Sequence, residues 1–160
     1  MKISIKIITL LLLTTTFAIE SRAQNKKAEK VANIKKEISA QQYTFIADYV
    51  TPLRGQTRQL NAGDYDLRVT KDSLIAYLPY FGQAYFDVPY NPTDGGIKFT
   101  STKFDYHLKE KKKGGWSVQI VPQDTKNIDK IYIDISQDGF ASLSVNSNNR
   151  DEISFNGYLR

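Results

Sequence analysis

SLIAYLPYFGQAYFDVPY, Ser73 to Tyr90, is the densest aromatic stretch of the chain, and the fold turns on how it is read. Leu74, Ala76 and Leu78 alternate with Ile75 and Tyr77 at the two-residue period of a strand. Both sets are apolar, which predicts a strand covered on both faces. Pro79 has no N–H to give a ladder, and Gly82 permits backbone conformations closed to other residues. A bend is expected there, with a new strand direction starting over Gln83–Val88. Two Pro and two Gly then mark Val88 to Gly96 as loop.

Toward the N-terminus the period of two continues. Tyr43–Val50 reads as a strand ended by Pro52 and Gly55, Gln56–Leu60 as a short edge strand, and Tyr65–Val69 as a strand entered from the Asn61-Ala-Gly63 turn. Toward the C-terminus the chain reads as a meander. Ile97–Lys109 predicts one long strand, Lys111–Gly115 a charged hairpin end, and Trp116–Val121 its partner. Lys130–Ser136, Phe140–Val145 and Ile153–Leu159 follow, separated by turns at Gln137–Gly139 and Asn146–Asp151. One face of these late strands is polar. Upstream, Ala28, Val31, Ala32, Ile34 and Ile38 recur at spacings of three and four, which predicts a helix over Asn25–Gln41 with a narrow apolar stripe. The expectation is a mainly β domain over residues 43–160: an antiparallel barrel-like or sandwich meander of about nine strands, with one N-terminal helix (residues 24–42) packed on it.

Tyr77-Leu-Pro-Tyr-Phe-Gly-Gln-Ala-Tyr85, followed by Pro89-Tyr90 and Gly95-Gly96-Ile-Lys-Phe99, resembles the signature of small secreted Bacteroidetes proteins catalogued only as a domain of unknown function. The resemblance spans the chain from about Tyr43 onward. It implies an exported, mostly β domain and no particular activity.

Export is also read from the residues. Lys2 and Lys6 precede an apolar run from Ile7, and Ser21-Arg22-Ala23 places small residues where a signal peptidase reads them, so residues 1–23 are expected to be removed after Ala23. The run is shorter than the ~20 residues a membrane-spanning helix needs, so no integral membrane segment is expected in the mature chain. With no cysteine, neither a lipidated anchor nor a disulfide framework is available. The expected location is the periplasm or beyond the cell. From Tyr43 onward 14 basic and 14 acidic residues balance, so the folded body lacks the basic stripe of a nucleic-acid binder.

Catalytic chemistry finds little raw material. The single histidine, His107, shares a strand face with Asp105, which reads as a surface polar pair, and no serine sits in an elbow that would present it. Asp134-Ile-Ser-Gln-Asp138-Gly139 imitates the start of a calcium loop, but Val145 stands where a bidentate Glu belongs, so the segment reads as a hairpin turn and no metal or cofactor is expected. Asp64, Asp66, Asp87, Asp94, Glu110 and Glu152 single out no pair of the kind glycoside cleavage needs. Ten tyrosines remain. Tyr77, Tyr80, Phe81, Tyr85 and Tyr90 are the candidate ligand-binding residues, with core filling as the more economical reading of most of them. The expected function is a non-enzymatic binding or scaffold module of the cell envelope, its ligand or protein partner unknown. The alternatives are an envelope hydrolase using Asp87 and Asp94, and an interaction module that adds a partner's strand along Gln56–Leu60.

Overall fold

The computed structural model describes residues 26–86 and 95–160. The leader with its Ala23 cleavage site, Tyr90, Asp87, Asp94 and most of the loop that follows Phe86 therefore lie outside the described residues.

Helix α1 covers residues 26–39, and ten strands follow: β1 (Tyr43–Pro52), β2 (Arg58–Gln59), β3 (Asp66–Val69), β4 (Leu74–Leu78), β5 (Ile97–Ser101), β6 (Phe104–Glu110), β7 (Trp116–Pro122), β8 (Ile128–Ile135), β9 (Phe140–Ser147) and β10 (Ile153–Leu159). All pairings are antiparallel, in the order β5-β4-β3-β1-β10-β9-β8-β7-β6, with β2 attached to β1. The two ends of that order, β5 and β6, are separated along the chain only by Thr102 and Lys103. They are the halves of one bent strand, the first pairing with β4 and the second with β7. The sheet thus comes round on itself as a nearly closed barrel in which spatial order follows chain order. The long strand expected over Ile97–Lys109 exists, but its bend is what lets the sheet close.

Asp124 fixes that bend. Its Oδ1 accepts from Ser101 Oγ at 2.5 Å and its Oδ2 from the backbone N–H of Thr102 at 2.8 Å and of Lys103 at 3.2 Å. Two backbone donors that leave the ladder at the corner are satisfied in this way.

Inward-facing side chains fill the barrel. Phe45, Leu67, Leu74, Leu78, Ile120, Ile131, Ile133, Leu143 and Phe155 have at most 1% of their surface exposed. A barrel of about eight strands is just wide enough for side chains to fill its interior, and this one is filled, leaving ligands the ends and the outer surface. At one end lies α1, with Ile34 and Ile38 buried and Val31 half-buried. The Tyr106 hydroxyl donates to the Ile38 carbonyl at 3.0 Å and lies 3.3 Å from the Tyr43 hydroxyl. Burial pushes the Tyr106 phenol up to about 12. Truncating Ile38 to Ala is expected to cost about 2–5 kcal/mol, the usual range for a fully buried Ile. Ala28 and Ala32, assigned to the same stripe, are exposed, so the packed face is narrower than the periodicity suggests.

Two strand expectations fail. On β4, Ile75 and Tyr77 are exposed while Leu74, Ala76 and Leu78 are buried, so only one face is covered. An apolar outer face does not demand a second layer, because stacked rings and cation contacts cover it partially. Gln83–Phe86, the described part of the strand expected after Gly82, forms no ladder; one isolated bridge joins Ala84 to Arg150.

Candidate functional site

The segment from Pro79 to Phe86 lies across the turn between β9 and β10, at the end of the barrel opposite α1. Tyr85 N–H donates to the Asn149 carbonyl at 2.8 Å, and Asp151 N–H to the Gln83 carbonyl at 3.0 Å. The Tyr80 hydroxyl is directed at the carbonyls of Gln83 (2.8 Å) and Asp151 (3.1 Å), and the Tyr85 hydroxyl donates to Asp151 Oδ1. These contacts explain why Pro79 and Gly82 break the strand: the chain leaves the ladder to dock on a turn about 70 residues away. Desolvation first, then the nearby Asp151 charge, raises the Tyr80 phenol above its ordinary pKa, and the hydrogen bond to Asp151 is the main cause that raises Tyr85.

The rings of Tyr77, Tyr80 and Phe81 each meet a cation or another ring. The Tyr77 ring stacks on Tyr65 with centroids 5.8 Å apart, and Lys98 Nζ sits 5.1 Å from the Tyr77 centroid. The Arg150 guanidinium lies 4.8 Å over Tyr80, and that of Arg58 4.9 Å over Phe81. Cation–π contacts at such exposed places contribute about 0.5–1 kcal/mol each. Tyr77, Phe81 and Tyr85 are exposed and Tyr80 is half-buried against the core, so core filling does not describe them. The structure brings Tyr80 and Tyr85 together on Asp151. It sets Tyr77 apart beside Tyr65, and Phe81 apart beside Arg58.

Between these rings and the β7–β8 connection lies a cleft of about 260 Å³ lined by Gly96, Ile97–Thr100 of β5, Asp124–Ile128 and Arg150. Lys98 and Arg150 belong both to the cleft and to the aromatic surface, and Lys126 adds a third cation. The acidic side chain on the lining, Asp124, is committed to the strand bend; the Ser101 hydroxyl and then the Thr102 N–H hold its carboxyl at about 2. The Arg150 guanidinium donates to the Gly95 carbonyl at 2.9 Å, which fixes its position at the cleft edge. Nearby, in β9 and the turn after it, Asn146 Oδ1, Ser147 Oγ and Asn149 Oδ1 are buried without a partner among the described residues. No local pattern marks Lys98, Lys126 and Arg150 as a group, because they come from three separate segments.

The other sequence candidates stay apart. Asp105 accepts from Gln123 Nε2 at 2.9 Å and His107 is exposed beside it. Asp66 is paired with Arg68 at 2.8 Å, and Glu110 with Lys35. Asp134 and Ile135 end β8, and Ser136–Gly139 form the β8–β9 hairpin turn, with Gly139 at φ 82°. Among the described residues, no cluster of three or more His, Asp or Glu fits a metal ion, and no helix is long and apolar enough to cross a membrane.

Compared with known proteins, the chain matches over residues 25–159 a family model described as a domain of unknown function (DUF4251). Among solved structures it is similar to the crystal structure of a DUF4251 family protein from Bacteroides eggerthii DSM 20697, with 20% sequence identity and a TM-score of 0.61, over 85% of this chain and 90% of that one. At that identity the likeness is one of fold. No curated protein matches the chain.

Proposed function

The chain belongs to the DUF4251 family, a domain of unknown function, and from that premise we propose that it is an exported, non-enzymatic binding module of the cell envelope. Its binding surface is the aromatic and cationic end of the barrel. The observation that carries this reading is the sharing of Lys98 and Arg150 between the cleft beside β5 and the rings of Tyr77 and Tyr80. Flat apolar faces beside cations with no carboxylate ion pair among the described residues suit an amphipathic ligand that carries an acidic group. The filled barrel interior supports a surface site over an internal one. The leader expected at residues 1–23 supports export to the periplasm or beyond, and with it a mature chain that starts at Gln24.

Amide hydrogen exchange of the mature chain, with and without the low-molecular-weight fraction of the envelope, tests the binding surface. Slower exchange is expected at residues 77–86, 96–100 and 124–128. Exchange unchanged there, or slowed only elsewhere, contradicts the proposal.

A further inference from the structure

We propose that a second surface, the groove over the outer face of β8, β9, β10 and β1, binds a neutral saccharide. It shares no residue with the aromatic end of the barrel. About 580 Å³ in volume, it lies within the range of roughly 300–1,000 Å³ typical of small-molecule sites.

The floor is made of small and uncharged side chains. Ser142, Asn156 and Tyr49 stand in register across β9, β10 and β1. The Ser142 hydroxyl donates to Asn156 Oδ1 at 2.6 Å, which directs that oxygen sideways and leaves the Asn156 amide N–H groups without a protein partner among the described residues. Along the same face, Ser144 and Ser154 pair their hydroxyls at 2.9 Å. Solvated outer faces of strands ordinarily mix Lys and Glu with their hydroxyls, and here β9 and β10 carry no charge at these four positions.

Two aromatic walls rise from that floor. Phe140 is 68% exposed, more than any other large apolar side chain described, and Tyr49 is 44% exposed. Tyr49 stands directly opposite Asn156 on one side and Phe140 diagonally from it on the other, which offers flat apolar faces to the C–H faces of a sugar while polar groups between them meet its hydroxyls.

The backbone is shaped for the same groove. The ladder between β1 and β10 shifts register between Ala47 and Tyr49, so Asp48 is an extra residue in a β-bulge, a device that re-aims the side chains beside it. Both Asp48 and Tyr49 line the groove. On the facing strand, a Cβ at Gly157 would collide with the Ile46 carbonyl, so only glycine lets β1 and β10 approach this closely and keeps the floor low.

Charge and pairing select the ligand class. Asp134 is balanced by Lys111 at 3.0 Å, so Asp48 remains as an acceptor for hydroxyl donors and no excess cation invites an anion. The strands beneath are paired on both sides, so a peptide finds no free edge to extend. A hydroxyl-rich neutral ligand with flat apolar faces fits what is left.

The test is a titration of the isotope-labelled mature chain with maltotetraose, cellotetraose and chitotetraose, each to about 10 mM, followed by amide NMR shifts. At least one probe is expected to move the signals of Tyr49, Ser142 and Asn156. Tyr49→Ala and Phe140→Ala, both at exposed positions, are expected to keep the native spectrum and weaken binding about tenfold or more. Tyr132→Ala, on the outer face but off the groove lining, is expected to bind as the unaltered chain does. No shift with any of the three probes, unchanged affinity in both groove variants, or shifts confined to residues 77–86 would each overturn the assignment, the last while leaving the aromatic end of the barrel as the binding surface.

Discussion

Gln41 carries a backbone φ of 53°, alone among the described residues that are not glycine. It ends α1: its N–H reaches the Ile38 carbonyl at 3.1 Å, and the Gln42 N–H reaches that of Glu37 at 2.9 Å, the paired bonds of a Schellman motif. Glycine normally occupies this place because a Cβ there is strained. Gln41→Gly is therefore expected to stabilise the protein by about 0.5–1 kcal/mol, measured by denaturant unfolding. The same residue shows why the helix boundary was legible only to within two residues: the apolar spacing continues to Ile38, and without a glycine nothing in the sequence marks the stop. A second residue-scale test concerns Asp124. Its folded carboxyl, held at about 2 against an ordinary 3.8, stabilises the fold above pH 3.8, and that contribution is lost as pH falls through about 2. In Ser101→Ala, which removes the largest cause of the depression, the Asp124 carboxyl is expected to titrate closer to 3.8 by NMR. An unchanged titration would mean that the backbone donors alone hold it.

The bent strand is the element on which closure depends. Period two was readable from Ile97 to Lys109, but the break at Thr102 and Lys103 was not, because it is made by a carboxylate more than 20 residues away in sequence. Asp124→Ala removes the carboxylate, and with it the one oxygen, Oδ2, that accepts from both the Thr102 and the Lys103 amides. Faster hydrogen exchange at those two amides is expected, with exchange in β8, β9 and β10 unaffected; equal rates would show that the bend needs no clip. β4 teaches a related lesson. Its alternation was legible, but whether Ile75 and Tyr77 were covered depended on Tyr65 and Lys98, which reach them from outside the strand. Gln83–Phe86 has strand-like composition yet forms no ladder, since its backbone groups are taken by the β9–β10 turn. Composition records what a segment prefers, and partners distant in sequence decide what it does.

For the whole molecule, the antiparallel meander and its helix could be read from short, regular, alternating runs and the turns between them. That the first long strand pairs with the last, and so nearly closes the barrel, could not, because no local signal relates Tyr43–Pro52 to Ile153–Leu159. The candidate site divides the same way. Its tyrosines stood out in one stretch, whereas Lys98, Lys126 and Arg150, which give the surface its charge, become neighbours only when the sheet closes. A barrel packed with side chains and capped by a helix at one end leaves the other end as the place where exposed rings and cations meet a cleft. That is the central claim of the proposed function. It is tested most directly by native mass spectrometry of the mature chain isolated gently from its own envelope fraction. The account predicts a reproducible small-molecule adduct on the unaltered chain that is lost from a Tyr77→Ala, Lys98→Ala double variant of native fold. Unliganded protein from the unaltered chain, or an adduct that the double variant retains, would contradict it.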